Sequence, residues 1–351
     1  MSQGIPATLA HPSRRTLLKF GALASLAGLT GCGGNEAAAG GGNEAAAGGG
    51  KAVTIVNTSS NSTLVLQELL DRQSYLPSVE LSAKTQNVSD GSKLIASLLN
   101  GSTDITLLSG FGQVLPAIEK GAKLKIISGS GLLLAHAVYA KDSGIKSAQD
   151  LVGKTIGTGP VGALLHQIMV AFLAKHGIKS EQVKFVNIGS SADVFKAVAA
   201  GKVDVGPSLV DVYDQQDKYG VHAVAELWKE LPEYTYQGAY TSDAAIKKNR
   251  DVLVRTLAAY AKLFRYISSP DSKTTYLESY KKAVPSSDAT EAGSMWRFAQ
   301  QPGAYAVDLA LNEDRLKYMQ DLNVSQGVQS KVLPFDQIAD MSLANDAVKM
   351  L

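Results

Sequence analysis

The chain has 351 residues, 45% of them hydrophobic and 19% charged, the balance of a globular protein with room for two α/β lobes; wholesale disorder is excluded. Its 34 basic and 32 acidic residues give a formal charge of +2, without the basic stripe that nucleic acid demands. The lone cysteine, Cys32, excludes an intrachain disulfide and a cysteine-rich metal centre, so a hydrophobic core alone must hold the fold.

Residues 13–19 read SRRTLLK and lead into a mildly apolar run, Phe20 to Leu29, closed by Thr30-Gly31-Cys32. That run is about half of the ~20 residues a membrane-crossing helix needs, so it reads as an export signal rather than a permanent anchor. The segment resembles a twin-arginine signal peptide ending in a lipobox, with Leu17 where that pattern prefers Phe. The resemblance implies a signal peptide over residues 1–31 and acylation of Cys32 as the mature N-terminus, whichever export route carries it. A buried helix with an unrelated cysteine is the competing reading. Loss of Arg14, Arg15 and Lys19 with the signal would leave the remainder near −1. Residues 33–50 repeat the unit GGNEAAAG and offer no large apolar side chain, so residues 32–50 are expected to act as a lipid-anchored tether spanning about 20–25 Å as a coil.

From Lys51 the pattern changes to short β-rich runs alternating with amphipathic helical stretches, which predicts mostly parallel sheets flanked by helices. Strands are predicted at 52–57, 79–84, 104–109 and 124–129, with helices near 63–73, 90–100 and 112–120. After Tyr139 the series restarts: KTIGTG, a helix from about Val161 to His176, strand 183–189, helix 191–200 and strand 203–208.

The stretches LIASLLNGSTDITLLS and VFKAVAAGKVDVGPSL are variants of one unit, with Gly101 and Gly201 as helix stops and an acid just before a buried strand. Such a unit is a common helix-to-strand connection, but its place in both series predicts two similar lobes. Beyond about Asp243 the pattern is mostly helical, at 252–267, 274–284, 289–300 and 313–322, so these helices must cover a sheet made earlier. The runs HAVYAKDS (136–143) and YTYQGAYTS (234–242) are read as adjacent crossing strands that form a hinge. The expected division is 51–137 plus 241–351 for lobe 1 and 138–240 for lobe 2.

In open parallel sheets ligands sit beyond the carboxyl ends of the strands, where helix N-termini converge. The loops there are 57–61, 109–112, 159–162, 189–191 and 207–209, rich in Gly, Ser, Thr or Asn and without Lys or Arg. They offer backbone N–H and hydroxyl donors to a small anion or polar group, although the same residues are ordinary helix caps. The candidate ligand-binding residues are Ser59, Ser60, Asn61, Ser109, Gly110, Phe111, Gly159, Pro160, Val161, Gly162, Ser190, Ser208 and Asp211. Asp211 is suited to a ligand amine, with a solvated first-turn carboxylate as the plainer alternative. Phe111, Tyr139, Tyr213, Tyr234, Tyr236 and Tyr240 can stack on a ring or fill the core.

GTGPVG (157–162) satisfies G-x-G-x-x-G between a strand and a helix, so an exported NAD-type oxidoreductase is the alternative function. Against it, the next strand ends in Asn187 and Ser190 without the acid that holds a ribose hydroxyl. The five histidines show neither H-x-H nor H-E-x-x-H spacing, and no G-x-S-x-G elbow or Walker loop occurs. No catalytic constellation, metal or cofactor is expected.

The stretches LNGSTDITLLSGF (99–111), DSGIKSAQDLVGKTIGTGPVG (142–162), LAKHGIKSEQVKFV (173–186), AVAAGKVDVGPS (197–208) and the late PDSKTTYLESY (270–280) resemble those of the nitrate, sulfonate and taurine solute-binding proteins of ABC transporters. That group shares a superfamily with thiamine-pyrimidine precursor binders, and the resemblance spans roughly residues 52–345. It implies a two-lobe type II periplasmic-binding-protein fold that holds a small-molecule ligand in its cleft, as a monomer docking on membrane permease subunits. Ser59, Ser60, Ser109, Phe111 and Gly159 to Gly162 match the places where relatives hold ligand. The absence of basic residues in these loops argues against nitrate. A single cysteine rules out the cysteine-rich motif of relatives that make a pyrimidine precursor. The implied location is the outer side of the cytoplasmic membrane, in a host with one membrane or two.

Overall fold

The computed structural model describes residues 51–351; the export segment, Cys32 and the tether lie outside the described residues. Ten strands occur among them: β1 (Lys51–Thr58), β2 (Leu81–Val88), β3 (Thr106–Ser109), β4 (Leu124–Gly129), β5 (His136–Ala140), β6 (Thr155–Thr158), β7 (Lys184–Asn187), β8 (Val205–Leu209), β9 (His222–Glu226) and β10 (Gly238–Ser242). β1 and β2 are parallel, from Lys51↔Leu81 to Thr58↔Val88. A parallel bridge, Ile55↔Ile105, and the bond from Val56 N to Ile105 O at 3.0 Å join β1 to the start of β3. β10 runs antiparallel between β3 and β4, so the first layer reads β2-β1-β3-β10-β4. The second sheet reads β7-β6-β8-β5-β9. In both, the order is second, first, third, a strand from across the molecule, then fourth.

The repeated unit supplies this order in the same way twice. Helix α1 (Asn61–Arg72) follows β1, and α2 (Gly91–Leu99) precedes β3. In the second lobe, after α3 (Val114–Glu119), α4 (Leu164–Lys175) follows β6 and α5 (Ser191–Ala199) precedes β8. Gly101 and Gly201 sit at φ +75° and +68°, the left-handed conformation that ends a helix and suits glycine. The acid that follows each glycine fixes the sheet. Asp104 accepts from Thr54 N at 2.8 Å on β1, and Asp204 accepts from Thr155 N at 2.7 Å on β6.

The helix Asp243–Ile267 covers the first sheet, burying Leu253, Leu257, Tyr260 and Phe264 against Ile55 and Leu107. A second core joins Phe111, Leu115 and Ile126 to Ile156, Ile168 and Val205 through Leu134 and Val138, so apolar contact is continuous past the crossing between the lobes.

Three expectations are corrected here. α4 starts at Leu164, not Val161, because Gly162 takes φ +80° and keeps 160–163 out of the helix. The helix expected from residue 252 begins at Asp243, its first two turns being polar, with Asn249 at non-helical φ −130°. The two runs read as neighbouring hinge strands do not pair: β5 enters the second sheet and β10 the first. The chains instead cross at Ser130–Gly131 and Gln237, where Ser130 N donates to Gln237 O at 3.1 Å and Gln237 N to Gly131 O at 2.8 Å. A third segment runs alongside, with Ala306 N donating to Ser130 O at 2.8 Å and Leu132 N to Ala304 O at 2.8 Å.

Candidate functional site

The carboxyl ends of the parallel strands carry the expected loops, but most of their side chains are turned to the protein's own needs. Ser60 caps α1, accepting from Thr63 N at 3.1 Å, and Ser190 caps α5 while donating to Asp193 at 2.6 Å. That bond holds the Asp193 carboxyl below its ordinary range. The Ser109 hydroxyl is buried and ties β1 to β3, accepting from Thr58 N at 3.1 Å and lying 3.0 Å from Thr58 Oγ1 and 2.8 Å from Thr106 Oγ1. Ser208 is buried and donates to Ser191 O at 2.9 Å. Phe111 is fully buried, its ring 6.5 Å from that of Tyr240, in the core rather than in an open cleft.

Ser59, Asn61 and Gly110 are exposed at the lobe 1 strand ends. In lobe 2 Gly159 is buried, and Pro160, Val161 and Gly162 form an exposed loop before α4, with Gly162 N 3.3 Å from His166 Nδ1. The glycines of GTGPVG have local reasons to be there. A Cβ on Gly157 would come within 3.0 Å of Val203, and one on Gly159 within 3.2 Å of Gly189 O.

Asp211 differs from all of these. It lies on the short 3-10 turn Val210–Gln215 that leaves β8, where its carboxylate accepts from the adjacent Val212 N at 2.9 Å. Among the described residues it forms no ion pair. Burial first, and then the charge of Glu291, push its pKa up to about 6. Asp211 itself is half-buried, between a solvated first-turn carboxylate and a core one. Its charge in turn raises the phenols of Tyr139, Tyr236, Tyr276 and Tyr280, each already raised by burial. These come from different places: Tyr139 from β5, Tyr236 from beside the crossing, Tyr276 and Tyr280 from the helix Lys273–Ala283. Tyr305, on the third segment at the crossing, couples to Tyr276. The acid belongs to the second lobe, whereas Tyr276, Tyr280 and Tyr305 belong to the first.

The same turn touches the helix Ala289–Ala299. Asp214 pairs with Arg297, and Gln215 Nε2 donates to Asp288 Oδ1 at 3.1 Å. An open hollow of about 490 Å³ beside this contact is lined by Asp214, Ala289, Thr290, Gly293 and Arg297. Near the crossing, His136 is buried with its ring 5.6 Å from Tyr236, and burial depresses its pKa to about 3, so it is neutral. Tyr276, Tyr280 and Tyr305 were not among the residues singled out from the sequence. The available signal was the i, i+4 pairing of Tyr276 and Tyr280 on one helix face, which reads equally well as core.

Two sheets of one strand order, cross-connected by exchanged strands, define the periplasmic-binding-protein class of fold. Residues 71–272, more than half of the chain, match the family model described as NMT1/THI5 like, and the chain belongs to that family. It is 24% identical over 266 residues to the Bacillus subtilis protein named "Putative binding protein YtlA", covering 72% of this chain and 77% of that one. Among solved structures it resembles the periplasmic aliphatic sulphonate binding protein SsuA from Escherichia coli, with TM-score 0.68, 17% identity, and coverage of 84% of this chain and 99% of that one. It also resembles the desulfurization enzyme DSZB, with TM-score 0.58, 14% identity, and coverage of 85% and 99%.

Proposed function

We propose that the chain is the extracytoplasmic solute-binding component of an ABC uptake transporter. It captures a small organic solute between two lobes and hands it to permease subunits without making or breaking a bond. The observation that carries this reading is the pair of sheets of identical order joined at Ser130–Gly131 and Gln237, a geometry that lets two halves pivot about a narrow crossing. With the crossing as the boundary, the lobes are residues 51–130 with 238–351, and 132–236, so the sequence division at 137/138 and 240/241 falls a few residues late at both crossings, and a monomer suffices. A lipid on Cys32, following a twin-arginine-like signal, holds the body outside the cytoplasmic membrane.

The oxidoreductase alternative is disfavoured by Gly157 and Gly159, which pack against the protein itself, and by Asn187 at the end of β7. A melting-temperature screen against organic amines, sulfonates, taurine and pyrimidines tests the proposal, because a ligand that binds only the folded state adds RT ln(1 + [L]/Kd) to stability. A rise with one class and no chemical change in the recovered solute is expected. Turnover of any of them, or a bound redox cofactor in the purified protein, would overturn it. Loss of membrane association in Cys32→Ala tests the anchor separately.

A further inference from the structure

Lobes that close on a solute must also part, and besides the crossing they touch along two flanks of different chemistry. On one flank α4 of the second lobe meets the helix Glu313–Ser325 of the first. Gln167 Nε2 donates to Asn323 Oδ1 at 2.8 Å, Tyr234 OH to Gln167 Oε1 at 3.0 Å, and Asn323 Nδ2 to Gln329 Oε1 at 3.3 Å. All four of these side chains are buried. Leu165 and Ile168 of α4 join Leu316 and Met319 of the facing helix in one core. Parting this flank would strip buried amides of their partners and open a cavity between the helices, each a large cost to the fold.

On the other flank the 3-10 turn Val210–Gln215 of the second lobe meets the helix Ala289–Ala299 of the first. Its charged contacts are open to solvent. Asp214 pairs with Arg297, their side chains 35% and 56% exposed, and Lys218 lies 3.8 Å from Asp288, at 60% and 47%. Ion pairs this exposed hold little energy each, because water solvates the separated charges almost as well and salt screens their attraction. Next along the helix, Phe298 meets the ring of Trp228 from the second lobe edge to face, with centroids 5.7 Å apart. The Trp228 indole N–H is buried there without a hydrogen-bond partner among the described residues, a cost that contact with water would relieve. The hollow of about 490 Å³ lined by Asp214 and Arg297 opens beside this contact. One flank is thus costly to part and the other is not.

We propose that the turn Val210–Gln215 and the helix Ala289–Ala299 form a releasable clasp: the lobes open by parting Asp214 from Arg297 and Trp228 from Phe298, while the α4 flank stays joined as the seam about which they swing. The inference rests on the solute-binding reading and adds to it the side on which the cleft opens. Opposite charges across the gap attract in one alignment only, so the same pair sets the register in which the lobes close again.

The test uses the full chain without added solute, labelled with 5-fluorotryptophan and read by fluorine NMR, with the Trp228 resonance assigned from Trp228→Phe. The two tryptophans separate the questions. Trp228 sits in the clasp, whereas Trp296 donates to Ser272 Oγ at 3.0 Å within the first lobe and reports whether that lobe is folded. Asp214→Arg, which sets like charges face to face, should raise the water-to-deuterium-oxide shift of the Trp228 resonance at least threefold and leave that of Trp296 unchanged. Adding Arg297→Asp to the same chain should restore the parent value. Gln167→Ala, on the other flank, should lower the melting temperature without exposing Trp228. If Asp214→Arg folds poorly, Arg297→Gln decides, with a smaller change in the same direction. A Trp228 resonance indifferent to both charge variants, or an Asp214→Arg effect that the reversed pair fails to restore, would overturn the clasp and leave solute capture intact. The solute-binding reading falls on a different result, the absence of any small molecule by mass in protein from its native host together with a silent melting-temperature screen.

Discussion

Positions 111 and 211 are equivalent places in the two lobes, each seven residues past the acid that pins its sheet, Asp104 or Asp204. In the first lobe the place holds Phe111, fully buried and locked against Tyr240; in the second it holds Asp211, on a turn facing across to the first lobe. One copy of the unit buries an aromatic ring at this position and the other leaves a half-buried carboxylate there. A duplicated frame can therefore keep its backbone order while its two copies use the same position differently, one for packing and one for a charge.

That contrast can be broken from either side. The largest effect should come from Phe111→Ala, which opens a cavity in the core shared by both lobes and should cost about 3–5 kcal/mol by denaturant unfolding. Asp104→Ala should follow at about 2 kcal/mol, because it removes acceptors for Thr54 N, the Thr54 hydroxyl and Asn249 Nδ2, leaving half-buried donors without partners. Asp204→Ala, with its bond to Thr155 N, should cost less, and a larger loss there would contradict the unequal anchoring of the two sheets.

Asp211→Asn is expected to act in the opposite direction. A carboxyl whose folded pKa is raised contributes most to stability below its unfolded value, near 3.8, and that contribution is lost as pH rises through about 6. At pH 7.5 the variant should be more stable than the parent by about 1–3 kcal/mol, and near pH 3.5 the difference should vanish. Equal melting of the two proteins at pH 7.5 would show that the carboxylate is well solvated. The smallest effect should be Gly201→Ala, about 1 kcal/mol, since φ +68° strains a side chain although nothing crowds its Cβ.

The fold was readable because periodicity and punctuation agree. The runs AVTIVN, LKIISG and VDVGPS are apolar enough to be buried whichever sheet they join, and Gly101 and Gly201 announce the helix stops. β9 was not anticipated: HAVAE is short, and every one of its residues is only partly buried, so it carries little β-signal beyond its pairing with β5. The crossing was misplaced for a related reason. A buried run such as HAVYA carries no mark of which sheet it will enter, while the crossing itself rests on backbone bonds of Ser130, Gly131 and Gln237 that side-chain pattern does not encode.

The site was less legible. Serine at a strand end has the same chemistry whether it caps a helix, ties two strands or meets a ligand, and Ser60, Ser109, Ser190 and Ser208 each make such an internal bond. Asp211 was visible as a residue, but not its isolation, because the lack of a basic partner is a property of three-dimensional neighbours.

The measurement closest to the core of this reading is small-angle scattering of the chain with and without the solute that raises its melting temperature most. Lobes pivoting at Ser130–Gly131 and Gln237 give a smaller radius of gyration when the solute saturates them. An unchanged radius with the site demonstrably filled would mean that no trap closes.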